Sequence, residues 1–493
     1  MDQSPRHSHL GTTGSRTVAQ LPGPTAWPLV GHLLHFDEAR VHLQLEDWSR
    51  AYGPLYRLRF LRTDVVVLSE TDLVAQAFRA RPGTWRRFGS IETVAREAGV
   101  HGLFSAEGDD WVRQRRLVLR AFDPGHLRRF LPRLDTVIER LRMRWRRAAR
   151  RGEVLDLQTE LMRYSVDAVT GLAFGVDVNT IEQEHNDLNS RLERVLPVIN
   201  RRLHAVFPYW RYLRLPADRK FDQDLSVIHA MLRDLVADAK EQFIREPELR
   251  AAPGNLLQAL LATRDDEGGS APSAPAGALT DDEVTGNLFT VLLAGQDTTA
   301  STLAWTIYLI SRHPAAWRQL VAEADESGAR GGAAGGEPLP ELAFAEACAA
   351  EAMRLHPVAP LHYFEAREDT TLGNVLVPQG TYLFCLTRLG AVDADRVDQA
   401  DEYLPERWLD LERSGPLKKL SMPFGAGPRM CPGRSLAMLE MRMLLSMLAR
   451  DFDLAEVTTP NGSPPRELMG FTVHPEPLRM RLSERRLASQ ARH

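Results

Sequence analysis

The chain is expected to fold as a mainly α protein with small β-sheets, an α+β arrangement, on three observations. Helical periodicity dominates from Gly108 onward, and one proline-free run, Thr280 to His313, is long enough to cross the molecule. Short strand-like stretches lie near the amino terminus, after Pro357 and at the carboxyl-terminal end. The 493 residues carry 65 acidic and 61 basic side chains, a formal net charge of −4, which argues against a protein driven onto nucleic acid by phosphate neutralisation. Hydrophobic residues make up 44% and charged ones 26%, the balance of a soluble globular protein. At roughly 150 residues per domain the length allows about three domains, although single-domain enzymes of this size occur. Cys348, Cys385 and Cys431 form no close pair, which disfavours a disulfide framework or a C-x-x-C zinc site and fits a reducing compartment.

Met1 to Gln20 is polar, lacks the apolar run of a signal peptide and reads as a disordered tail. Nowhere do about 18 uncharged apolar residues run together, so no membrane span is expected and the protein reads as cytoplasmic. LPGPTAWPLVG from Leu21 predicts an extended, kinked entry to the folded body, followed by a helical pattern. Tyr56 to Ser69 alternates and holds a β-branched run, predicting a strand pair with its turn near Thr63 and Asp64. Helices follow at WVRQRRLVLRAF from Trp111 and at IERLRMRWRRAARR from Ile138, the second basic on several faces and expected to be solvated. Asp265 to Thr280 and Glu326 to Pro340 are Gly/Pro-rich and read as exposed connections. Between them, Thr280 and Glu283 form a T-x-x-E capping box, opening a helix that Pro314 ends; at 1.5 Å per residue it spans about 48 Å. Strand-like TLGNVLVPQGTYLFCL and FTVHPEPLRMRL follow, and there is no internal repeat.

Phe424 to Gly433 reads FGAGPRMCPG, a tight loop in which glycine permits unusual φ angles and close approach of backbone to a flat ligand. An apolar helix follows, so Cys431 sits just ahead of a helix N-terminus, where free N–H groups lower a thiol pKa below its reference of about 8.5. An inert buried thiol is the commoner fate of a lone cysteine. The neighbouring residues tip the balance: the segment resembles the haem-binding loop of the cytochrome P-450 family, F-x-x-G-x-R-x-C-x-G, at Phe424, Gly427, Arg429, Cys431 and Gly433. The resemblance implies that Cys431 is the axial thiolate ligand of haem b iron, that Phe424 and Gly425 contact the cofactor, and that Arg429 pairs with a propionate. It covers about Leu21 to Leu482. One haem domain is therefore expected over 21–485, between the 1–20 tail and a second tail at 486–493, with haem between the long helix and the helix after Cys431.

Glu351 and Arg354 lie three apart on a helix and could be an ordinary surface pair. With PERW at Pro405 to Trp408, they resemble the family's E-x-x-R and P-E-R motifs, which implies a buried structural cluster of Glu351, Arg354 and Arg407. Trp111 and Arg115 resemble a W-x-x-x-R propionate site, although Trp111 could equally be a core tryptophan. Family members commonly place a further propionate arginine where this chain has Phe364; Arg429, Trp111 and Arg115 would then act alone or with His362. Within LLAGQDTTAST, Gly, Asp and Thr are poor helix formers, and AGQDTT resembles the oxygen-activation motif. By that resemblance Ala294 and Gly295 make room for dioxygen, while Asp297 and Thr298 deliver protons.

The family's pocket segments correspond here to Ile91–Phe104, Leu196–Tyr212, Leu288–Ala294, Val358–Phe364 and Met469–Val473, mostly apolar, which implies a hydrophobic substrate of fatty acid, terpenoid or steroid class. Arg201, Arg202, Phe207, Tyr209, Trp210 and Arg211 could form a lid meeting an anionic group or membrane surface, or a solvated lid with aromatic core contacts. Because the haem body takes up essentially the whole chain, two electrons per turnover are expected from NAD(P)H through a separate ferredoxin or flavodoxin and its reductase. Arg113, Arg116, Arg120, Lys418 and Lys419 are the expected docking charges. A monooxygenase is favoured: intact Asp297 and Thr298 disfavour a peroxide-driven hydroxylase and a haem sensor, and turnover without reductant would mark a hydroperoxide-rearranging lyase or isomerase.

Overall fold

The computed structural model describes residues 16–183, 187–205, 207–263, 278–329 and 342–485. Its spine is the helix Asp281–Ser311, opened by the expected capping box: Thr280 Oγ1 accepts from the Glu283 N–H (3.3 Å) while Glu283 accepts from the Thr280 N–H (2.8 Å). Its 31 residues make a rod of about 46 Å. The rod is apolar on nearly every side because the helices Leu157–Phe174, Pro216–Arg245, Ala343–Leu355 and Arg434–Asp451 all pack on it.

The strands gather to one side. A five-stranded mixed sheet runs in the order Leu55–Phe60, Thr63–Leu68, Tyr382–Leu386, Leu361–Ala366, Trp85–Arg87. Only the Thr63–Leu68 and Tyr382–Leu386 pair is parallel. Val65, Val66, Val67 and Leu68 are fully buried, as befits a strand covered on both faces. A small antiparallel hairpin, Glu467–Met469 with Val473–Pro475, approaches the spine from the opposite end of the sequence.

Several expectations need correction. Arg16–Thr17 is a strand parallel to Val375–Leu376, and Val18–Gln20 is a short 3-10 turn with Val18 buried, so the last five residues of the expected tail are folded. Residues 1–15 and 486–493 lie outside the described residues. The first hairpin turns at Leu61 and Arg62, with Leu61 at φ 54°; Thr63 and Asp64 already belong to the second strand. The basic helix extends over Pro124–Arg151 and is not solvated all round: Leu134, Leu141, Trp145 and Ala148 recur at helical spacing and are buried. The helix Pro314–Ala329 takes in Glu326 to Ala329, the start of the second expected connection, whereas most of the first, 264–277, falls outside the described residues.

Candidate functional site

The cysteine loop closes on its own backbone. Cys431 N–H donates to Phe424 O (3.0 Å), Gly425 N–H to Met422 O (2.9 Å) and Met430 N–H to Gly427 O (3.1 Å). Gly427 has a φ of +69°, and a Cβ there would stand 2.7 Å from the Phe78 carbonyl oxygen, so glycine lets the loop lie flat on the end of the helix Thr71–Arg79. Helix Arg434–Asp451 begins three residues after Cys431, as expected. The thiol pKa does not follow the expectation. Desolvation pushes it up, outweighing the N–H groups of Gly433 and Arg434 and the Arg115 guanidinium, all of which favour thiolate. A metal cation, which deprotonates a coordinating thiol outright, would supply the charge these groups lack.

Beside the loop stands a cluster of guanidinium groups, those of Arg81 and Arg429 buried and those of Arg87 and Arg115 half-buried. Arg429 lies 4.4 Å from the centroid of the Trp111 ring, donates to Ala106 O (3.0 Å) and pairs with Glu107 (2.8 Å). Arg115 donates to Met430 O (2.6 Å). Arg81 and Arg87, both missed in the sequence, complete the cluster. Buried nitrogens remain without a protein partner on all four: Nε and Nη2 of Arg81, Nε of Arg87, Nε of Arg115, and Nε and Nη1 of Arg429. Desolvation, followed by repulsion from neighbouring guanidinium groups, pulls Arg81 down to about 9 and Arg87 well below its ordinary range. Arg429 is lowered to about 10 by desolvation, against the opposing pull of Glu107. Buried donors lacking acceptors call for an anionic partner, and the two carboxylates of a haem would fit that demand.

The position expected to hold arginine is indeed Phe364, and a guanidinium faces it from the next strand. In the antiparallel pairing of Trp85–Arg87 with Leu361–Ala366, Arg87 is the direct partner of Phe364. Arg81 lies over the Phe364 ring, 4.3 Å from its centroid. Burial, followed by Arg81 and Arg87, lowers His362 to about 3, which favours a neutral imidazole there.

On the long helix, Ala294 is the only exposed residue between Val284 and Ser311. The Thr298 hydroxyl donates to Ala294 O (2.7 Å), Thr302 to Thr298 O (2.8 Å) and Thr306 to Thr302 O (2.7 Å), a back-bonded ladder that keeps three threonines inside a helix. Asp297 accepts a hydrogen bond from the Thr472 hydroxyl. Gly295 also meets a packing demand. A Cβ there would stand 2.5 Å from Val169 Cγ2, so this glycine permits close packing of the spine on the helix Leu157–Phe174.

Glu351, Arg354 and Arg407 come together as expected. Arg354 donates twice to Glu351 (2.9 Å each) and also to the carbonyls of Ala391, Ala400 and Glu402. Arg407 approaches Glu351 at 3.1 Å, and Trp408 Nε1 donates to the same carboxylate (2.8 Å). Of the lid arginines only Arg202 is buried: it pairs with Asp218 (3.0 Å) and stacks on Trp210 and Phe221, while exposed Arg211 and Trp210 Nε1 converge on Glu97. Of the lid aromatics Trp210 is buried, whereas Phe207 and Tyr212 are exposed. Among the expected docking charges, Arg113 is drawn into an ion pair with Glu283 and Asp110, whereas Arg120, Lys418 and Lys419 are exposed.

A thiol loop, a cationic cluster and a helix with one exposed alanine define the class of a haem-thiolate oxygenase. The profile of the cytochrome P-450 family matches residues 21–482, and the chain belongs to that family. It is accordingly a monooxygenase, an oxidoreductase with a haem-thiolate cofactor. It is 28% identical over 471 residues to pentalenene oxygenase of Streptomyces avermitilis, covering 94% of this chain and 97% of that one. It is 29% identical over 490 residues to mouse mitochondrial 25-hydroxyvitamin D-1 alpha hydroxylase, covering 94% and 92%. The crystal structure of the cytochrome P-450DA haem domain superposes with a TM-score of 0.77 at 21% identity, covering 96% of this chain and 99% of that one, a likeness of fold. Among the described residues no helix is long and apolar enough to cross a membrane.

Proposed function

We propose that the enzyme hydroxylates or epoxidises a hydrophobic small molecule of fatty acid, terpenoid or steroid class. One observation carries this reading: Val100, Leu103, Leu196, Leu288, Leu292, Leu293 and Phe471, drawn from four segments far apart in sequence, belong to one apolar cluster, and Leu293 is followed directly by exposed Ala294. The names of the pentalenene oxygenase and the vitamin D hydroxylase relatives agree with a substrate of this kind.

Cys431 would ligate the iron, and Arg81, Arg87, Arg115 and Arg429 would hold the carboxylates, with Trp111 stacked against Arg429. When bound, the haem supplies oxygen activation: with two electrons, one oxygen atom enters the substrate and the other leaves as water. Asp297 takes protons from solvent and passes them towards Thr298. The Thr298 hydroxyl, now donating to Ala294 O, turns towards the exposed side of Ala294 to hand its proton on. The apolar wall excludes bulk water from that path. Electrons from NAD(P)H reach the site through a ferredoxin or flavodoxin and its reductase, received by Arg120, Lys418 and Lys419.

Titration of the ferric enzyme with dodecanoic acid, a sesquiterpene and a sterol, read as the spectral shift on displacement of iron-bound water, tests the substrate class. A shift with a free sugar or amino acid and with none of the three would sink it. Thr298→Ala is expected to send electrons into hydrogen peroxide rather than product; unchanged coupling would remove Thr298 from the relay.

A further inference from the structure

Asp297 and Thr298 are neighbours in sequence, yet their side chains leave the helix about 100° apart. The Thr298 hydroxyl is held by Ala294 O of its own helix. The Asp297 carboxylate is held by another element altogether: Oδ2 accepts from the hydroxyl of Thr472, a buried residue at the tip of the hairpin Glu467–Met469/Val473–Pro475.

The hairpin has a fixed base and a loaded tip. At its base, Glu467 pairs with Arg388 (2.6 Å), His42 (2.7 Å) and His356 (2.5 Å), and His356 stacks on Trp305 of the spine. At the tip, Gly470 N–H donates to Thr472 O (2.8 Å), and the next residue, Val473, donates its N–H to Val358 O (2.8 Å). Phe471, beside Thr472, packs into the apolar cluster with Leu288, Leu292 and Leu293. One three-residue tip thus joins the wall assigned to substrate with the carboxylate assigned to proton delivery.

We propose that Thr472 is a positioning residue for Asp297: its hydroxyl fixes the carboxylate against the hairpin, so that proton delivery depends on where the substrate-contacting tip sits. This rests on the relay reading given above. Loss of this hydrogen bond loosens the tip as well as the acid.

Thr472→Val removes the donor at nearly constant shape, Thr472→Ser keeps it, and Asp297→Asn weakens the acceptor. In the ferric holoenzyme, amide hydrogen exchange across Glu467–Pro475 is expected to accelerate roughly tenfold in Thr472→Val and to stay near wild type in Thr472→Ser. With dodecanoic acid as probe and a plant-type ferredoxin and its reductase as donors, the share of electrons released as hydrogen peroxide is expected to rise in Asp297→Asn and Thr472→Val alike. The double variant should add nothing further, and Thr472→Ser should restore coupling. If Asp297→Asn raises the peroxide share but Thr472→Val does not, or if exchange in Thr472→Val matches wild type, the positioning role is wrong while the relay stands. If Asp297→Asn leaves the share unchanged, the relay itself fails and the positioning role falls with it.

Discussion

Arg87 and Phe364 face each other across an antiparallel strand pair, and the cation that family resemblance would place at 364 is found on the other side of that pair. Directly opposed side chains in an antiparallel pair point to the same face of a sheet, so the exchange keeps a guanidinium facing the same space. Arg87→Leu is therefore expected to speed haem loss from the holoenzyme to apomyoglobin by roughly ten- to a hundredfold, as loss of a charge-assisted contact would. Exchanging the two residues, Arg87→Phe with Phe364→Arg, should recover most of the retention. Equal loss rates for Arg87→Leu and wild type would take Arg87 out of the site.

Cys431→Ser should still fold, since the loop is closed by backbone bonds that involve no sulfur. The reduced variant under carbon monoxide should lack the red-shifted absorption of a thiolate-ligated haem. Its persistence would mean that another residue supplies the axial ligand.

Glu351→Gln strands Arg354 and Arg407 in a fully buried setting. Breaking one partner of such a cluster costs about 3–5 kcal/mol, which denaturant unfolding of the holoenzyme would register. A cost below about 1 kcal/mol would mark the cluster as no stronger than a surface pair.

Gly295→Ala drives a methyl group into Val169 and should cost about 1–3 kcal/mol. Adding Val169→Ala should return part of that loss. If Gly295→Ala keeps its stability and instead slows turnover, room for dioxygen rather than helix packing governs the position.

Glu440, on the helix after Cys431, is buried and its carboxyl is raised to about 8 by desolvation, with a hydrogen bond to Thr299 opposing. Between pH 4.5 and about 8 the folded protein holds a proton that the unfolded chain has released, so the stability linked to this group is full below 4.5 and is lost as pH rises through 8. Glu440→Gln should flatten the fall in thermal midpoint over that interval. Parallel wild-type and variant curves would place the titration elsewhere.

The sequence disclosed what is carried by local spacing. The T-x-x-E box, the proline at the end of the spine and the loop FGAGPRMCPG each depend on residues within a few positions of one another, and each took its expected shape. Arg81 and Arg87 were hidden because their significance lies in a partner about 280 residues away: RARPGTWRR resembles any basic surface stretch until the strand pairing with Phe364 is known. Gly295 was only partly legible for a related reason. A glycine in a helix signals close approach, but only the position of Val169 says what approaches. The inward turn of Arg113 and Arg202 was equally illegible, since Glu283 and Asp218 lie on other helices.

The bond from Arg429 to the Ala106 carbonyl spans 323 residues. At about 5–20 residues per second, ribosomes need roughly 15–65 s to make the intervening chain. Once Arg115 has been made, the nascent polypeptide carries three of the four arginines proposed to hold the carboxylates and no thiol loop to close over them. With Cys431 as the axial ligand, iron loading would be confined to the last stage of translation or to the released chain, and ribosome-bound fragments that stop short of the loop should emerge colourless.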